Sequence, residues 1–157
     1  MDVFEKIKLT SANSLYETAE DVQHLQPTPL DSLSDCFPVM HAHLPNGKTV
    51  PLLKTMQTSV CERNCNYCCF RAGRDTPRAN LTPDELASAV VKLTQAKIAK
   101  GIFLSSGVAG GGVKTQDKLI ATAEILRSKY KYREYIHLKI MPGAEKDQIF
   151  KSMQLAD

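Results

Sequence analysis

The chain has 157 residues, 43% of them hydrophobic and 24% charged, which allows a single domain with a buried core. A net charge of +3 is too mild to mark a dedicated nucleic-acid module, and no apolar run approaches the roughly 18 residues of a membrane span. The start, Met1-Asp2-Val3-Phe4-Glu5-Lys6, lacks the basic-then-apolar order of a signal peptide, so the expected location is cytoplasmic, where free thiols stay reduced.

In chain order, Val3, Phe4 and Ile7, then Leu15, Tyr16 and Ala19, recur at helical spacing and predict a helix over 2–20 with a break at 11–14. The two prolines and short polar residues of 26–35 predict a loop, and Cys36 beyond it reads as a buried apolar filler. Residues 39–44 and 48–53 flank Pro45-Asn46-Gly47, a hairpin signal, with Pro51 expected to interrupt the ladder so that 51–60 runs on as a new strand. His41 and His43 share a face of the first arm, either simply exposed or as a supplementary metal or substrate contact.

Thr82-Pro83-Asp84-Glu85 is a capping box with proline at the first helical position. Leu86, Ala89, Val90 and Leu93 form the buried stripe of that helix, Lys97 and Lys100 suit its negative end, and Gly101 is expected to stop it. Ile102–Leu104 predicts a short buried strand running into Ser105-Ser106-Gly107. Thr115 is expected to cap a helix bearing Leu119, Ala123, Leu126 and Tyr130. A third strand, 135–140, alternates Tyr135, His137 and Lys139 against Ile136, Leu138 and Ile140, and its polar face is expected to point into a cavity. A last helix over 144–156 is expected to turn Ile149 and Met153 inward. Strand–helix order repeated three times predicts an α/β fold with a parallel sheet, divided into an extension over 1–50 and a domain over 51–157. The chain runs out in its last helix without a stop signal, and it is expected to be a fragment.

Four of the five cysteines lie between 61 and 69, in Cys61-Glu62-Arg63-Asn64-Cys65-Asn66-Tyr67-Cys68-Cys69. Such clustering in one loop suits a metal centre rather than a disulfide framework. A structural zinc site needs four ligands, so zinc would call on His41 or His43 to complete it. Three thiolates holding three irons of a [4Fe–4S] cube, with the fourth iron open to a small molecule, fit the spacing better. Cys69, adjacent to Cys68, reads as a non-ligand neighbour. Arg71, Arg74 and Arg78 form either a solvated basic loop or an anion contact at the mouth of the site. Gly107 to Thr115 nearly mimics a phosphate-binding loop, but Val113 interrupts the lysine-containing end, and a turn on the cofactor side is the better expectation.

The C-x3-C-x2-C spacing at the end of a first strand, with Tyr67 before the last cysteine, resembles the radical S-adenosylmethionine superfamily. The resemblance implies a partial (β/α) barrel, truncated here after about three βα units. It also implies a [4Fe–4S] cluster on Cys61, Cys65 and Cys68 that chelates S-adenosylmethionine and, on reduction, releases a 5′-deoxyadenosyl radical. Tyr67 would pack near the adenine. Ser105, Ser106 and Gly107 stand where the superfamily usually carries a Gly-Gly-Glu-like segment, without its carboxylate, and His137 and Lys139 would meet the cofactor carboxylate or the substrate. Over nearly the whole chain, 52–61, 77–79, 101–107 and 135–139 are similar to a DNA modification/repair radical SAM family that tends to accompany a uracil-DNA-glycosylase-like protein. An electron donor such as flavodoxin or ferredoxin is implied as a partner. The competing class is a non-catalytic zinc- or cluster-binding module.

Overall fold

The computed structural model describes residues 1–12, 37, 39–43 and 46–157. The expected helical residues 13–20, the loop over 26–35 and Cys36 lie outside them. Four strands form one open mixed sheet in the order β1-β2-β3-β4. These are β1 (Val39–His43), β2 (Thr49–Met56), β3 (Gly101–Ser105) and β4 (Tyr135–Leu138). β1 runs antiparallel to β2, while β2, β3 and β4 are mutually parallel. The helices are α1 (Val3–Ala12), α2 (Pro83–Gln95), α3 (Gly112–Glu124) and α4 (Lys146–Leu155). The molecule is therefore α/β with a parallel core.

The hairpin closes as the Asn46-Gly47 signal predicts: Gly47 takes φ 77° and the Asn46 side chain accepts from the Lys48 amide. Pro51 does not interrupt the ladder. It sits opposite His41 inside a continuous β2, and its carbonyl accepts from Lys100 N–H at 2.7 Å, before β3 begins. Backbone N–H and C=O of one strand residue point the same way, so the missing donor of Pro51 falls where no β3 acceptor waits.

Side chains divide by alternation. Leu53, Ile102, Leu104, Ile136 and Leu138 join Ile7, Leu86, Val90, Leu93, Leu119, Ala123 and Leu126 in one apolar core between sheet and helices. At roughly 25 cal/mol per Å2 this burial is the main stabilising term. Because α1 and β1 contribute to the same core and sheet, and β2 crosses position 50, the N-terminal elements are continuous with those that follow. Thr10 and Thr55 share a buried hydroxyl hydrogen bond at 2.9 Å, and Lys6 pairs with Glu85 at 3.0 Å.

α2 begins as its capping box requires, with both reciprocal hydrogen bonds present. Its stop is Lys97 rather than Gly101. Lys97 adopts φ 61°, its N–H reaches Thr94 O, and Ile98 N–H reaches Leu93 O, the paired closure of a Schellman turn with lysine where glycine is usual. Gly101 instead opens β3, where a Cβ would lie 2.6 Å from Leu52 and 2.8 Å from the Tyr135 carbonyl. α3 starts at Gly112 behind Gly111 at φ 91°, so Thr115 is not its cap. The Thr115 hydroxyl lies within the first turn, accepting from Ala109 N–H and donating to Gly111 O. The end of α3 widens into a π-helical segment, Ile125–Lys129, with Lys131 at φ 53° just beyond it.

β4 ends at Leu138, short of the expected 140. In α4 the expected phase is wrong: Met153 is 68% exposed and Phe150 63%, while Gln148 and Ser152 turn inward. A reciprocal Glu145–Gln148 capping box fixes that phase, and Gln148 then donates to Val113 O and Asp117 on α3. α4 stops at Leu155, and Asp157 returns to β4, its N–H donating to Ile136 O and its carboxylate accepting from Ile136 N–H. Arg127 clamps this end by donating to Asp157 at 2.6 Å and to the Leu155 carbonyl. Among the described residues no helix is long and apolar enough to cross a membrane.

Candidate functional site

Parallel strands carry their loops to one edge, and here three loops meet at the C-terminal ends of β2, β3 and β4. After β2 the chain continues extended, with Gln57 N–H on Ser105 O, Gly107 N–H on Thr58 O at 2.7 Å, and Glu62 N–H on Val108 O at 2.8 Å. The cysteine loop is thus laid along the β3–α3 turn. Gly107 permits this: a Cβ there would collide with the Val60 carbonyl and approach Cys61 Cβ to 3.2 Å. The same turn meets the β4–α4 loop at Gly112, where a Cβ would run into the Pro142 carbonyl and Gly143. Buried Gln57 ties the base together, donating to Leu81 O and accepting from the Thr122 hydroxyl.

Both ends of the cysteine loop are held by one side chain. The Arg78 guanidinium donates to the carbonyls of Ser59 at 2.6 Å, Phe70 at 2.7 Å, Arg71 at 3.0 Å and Arg74 at 3.3 Å, and lies over the Phe70 ring. Arg78 is thus a loop clamp, which is neither of the two expectations for it, a solvated cation or an anion contact at the site mouth. Arg71 donates to Asn66 within the loop.

Inside the clamp, Cys61 and Cys68 are half-buried and Cys65 is exposed. The Cys61 sulfur accepts from Arg63 N–H at 3.4 Å and the Cys68 sulfur from Phe70 N–H at 3.3 Å. Burial pushes the Cys69 thiol up, a charge on Cys68 adds to this, and Arg78 and Arg74 pull it back only in part.

The donor set suits a soft metal: three thiols in one anchored loop, two of them already supplied with amide donors. The sulfurs are not gathered around one point, since among the described residues no three Cys, His, Asp or Glu side chains form a metal-holding group. His41 and His43 cannot complete a fourth position. They are exposed on β1 opposite Pro51 and Thr49, at the far end of β2 from the cysteine loop. From Thr49 to Met56 the strand covers roughly 23 Å at ~3.3 Å per residue.

Tyr67 stands 76% exposed in the loop. Ser105, the last residue of β3, and Ser106 after it are buried, with the Ser106 hydroxyl donating to Gly107 O. Two amides of the glycine turn are engaged within the fold. Ala109 N–H donates to Thr115, and Gly110 N–H donates to the Glu62 carboxylate at 3.0 Å. Glu62 thereby links the first cysteine's neighbour to the turn, a role that no sequence motif advertised.

Below the loops, the sheet face opposite the helices is built in cross-strand rows. Leu52, Gly101 and Tyr135 form the lowest, Lys54, Phe103 and His137 the middle one, and Met56 and Ser105 continue upward toward Lys139. Lys54 is only 7% exposed, with its ammonium 5.3 Å from the Phe103 ring centroid. The His137 ring lies on the other flank of the row, its centroid 4.3 Å from that of Phe103 and its plane tilted by 37°. Alternation on β4 is as the sequence predicts, but Lys54 went unnoticed there; strict period two along 52–56 places it with Leu52 and Met56 on this face. Compared with known proteins, the chain matches no protein-family model, no curated protein and no solved structure.

Proposed function

We propose that the chain forms part of a radical S-adenosylmethionine enzyme, with Cys61, Cys65 and Cys68 as the ligands of a [4Fe–4S] cluster. One observation carries this: a C-x3-C-x2-C loop leaves the C-terminal end of the first parallel strand with both ends clamped by Arg78 and two sulfurs hydrogen-bonded to amides. When bound, the cluster would supply an electron for reductive cleavage of S-adenosylmethionine to a 5′-deoxyadenosyl radical.

The chain's own residues then orient and shield. Ser105 and Ser106 offer hydroxyl acceptors to the cofactor's ammonium in place of a carboxylate, Gly107 keeps the cysteine loop against β3, and exposed Tyr67 is the ring available to the adenine. The remainder of a (β/α) barrel, a nucleic-acid substrate and a flavodoxin- or ferredoxin-type electron donor belong to the same proposal. Zinc has no comparable support, because the histidines that would complete it lie at the wrong end of the sheet.

The test is anaerobic iron–sulfur reconstitution of the wild type beside Cys65→Ala, read by iron content and thiolate-to-iron charge-transfer absorption. About four irons per chain, lost in the variant and reducible by dithionite, are expected for a single cube. One tightly held zinc and no iron would overturn the proposal.

A further inference from the structure

The hairpin, at the opposite end of β2 from the thiols, carries a second pair of metal-ligating groups. His41 and His43 alternate with Ala42 on β1, so both rings project from one face of the strand. Register puts that face with Val39 and Leu53, which turn toward the helices, but at 41 and 43 it is open and both histidines are exposed. Neither ring is tied to another described residue by a hydrogen bond, ion pair or ring contact. The backbone beneath them is fixed, because every residue of β1 pairs with β2 and the Gly47 turn closes the hairpin. Two residues of strand set the two Cα atoms roughly 6.6 Å apart. Strand side chains stand off the sheet and lean along the strand. Two imidazoles leaning toward each other can therefore each place one nitrogen on a single ion, at metal–nitrogen distances of about 2.0–2.1 Å. Neither β1 nor β2 contains a carboxylate, so the pair offers nitrogen without charged oxygen. Imidazole suits zinc, copper and nickel, whereas calcium and magnesium demand oxygen.

We propose that His41 and His43 chelate one zinc ion on the outer strand of the sheet, with the two remaining tetrahedral positions open to water or to a donor from another molecule. Two neutral ligands and two open positions make this ion exchangeable, unlike the closed four-ligand arrangement of a structural zinc. The length of β2 keeps it apart from any metal on the cysteine loop, since the strand from Thr49 to Met56 covers roughly 23 Å. The site needs no cluster, and the cluster does not need this site.

Histidine-selective isotope labelling of the full chain tests it, with ring magnetic resonance followed as ZnCl2 is added beyond what the thiols take up. The rings report the site directly, so zinc on the cysteines does not confuse the reading. Of the chain's four histidines, His41 and His43 are expected to shift together and saturate with a single ion. Binding by one ring makes binding by the second intramolecular, so His41→Ala should weaken the response of His43 by about tenfold or more, and His43→Ala that of His41. His41→Gln, which keeps a polar side chain on the exposed strand, should behave like the alanine variant. MgCl2 should move neither ring. Independent titration of the two rings, a response unchanged by either alanine substitution, or no response in millimolar zinc would overturn the proposal. So would loss of the response in Cys65→Ala, which would mean that rings and thiols follow one metal.

Discussion

Arg78 illustrates how one side chain fixes a site it never enters. Its guanidinium spans Ser59 before the cysteines and Phe70, Arg71 and Arg74 after them. Hydrogen bonds to a charged donor contribute about 1.5–3 kcal/mol each, but these four share one group and are not additive. Arg78→Met is expected to lower stability by roughly 3 kcal/mol in urea unfolding and to speed tryptic cleavage at Arg63 and Arg71. Arg78→Lys should rescue little, because an ammonium cannot fork to several carbonyls. Unchanged stability and cleavage would return Arg78 to the role of a surface cation. The sequence showed a basic run here; which arginine turned inward depended on where the loop's carbonyls converged.

Elements were legible where a local rule decided them. The α2 start is a sequence-local device, and it carries a pH signature. The Thr82 backbone N–H, then Lys6, holds the Glu85 carboxyl below its ordinary value. A depressed folded-state pKa contributes stability above the unfolded value, and that stability is lost as pH falls through the folded value. Wild-type unfolding midpoints should therefore drop below about pH 5 by more than those of Glu85→Gln, with the two curves converging in acid. Parallel curves would mean that the box does not couple to folding. The ends of elements were less legible. Lys97 closes α2 in the left-handed region and Gly101 does not, because Gly101 is needed where β2 and β4 crowd β3. The phase of α4 was misjudged for a related reason. Gln148, Ser152 and Gln116 form a buried polar seam, so the apolar Met153 and Phe150 are left outside.

At the scale of the molecule, the decisive feature is that three loops share one edge and touch. Gly112 and Gly143 are the closest point, and the first residue of α3 has no room for a side chain against Pro142. Gly112→Ala is expected to destabilise by about 2 kcal/mol, lowering Tm by roughly 5 °C for a domain of this size. Val113→Ala beside it should stay within about 0.5 kcal/mol. Equal melting of the two variants would show that the loops are not in enforced contact.

The amino-acid sequence by itself determined the alternation of strands and helices, the α2 cap, the Asn46-Gly47 turn, the two faces of β4 and the cysteine spacing. Each of these is a property of neighbours within a few residues, through hydrogen-bonded caps, backbone φ preferences or period-two burial. Tertiary structure decided the rest. It carried Pro51 through a strand whose missing donor meets no acceptor, and put His41 and His43 at the end of the sheet away from the thiols. It turned Arg78 into a clamp, bound Glu62 to the glycine turn, and aligned Lys54, Phe103 and His137 from three separate strands in one row. Those contacts join residues tens of positions apart, and only the sheet register brings them together.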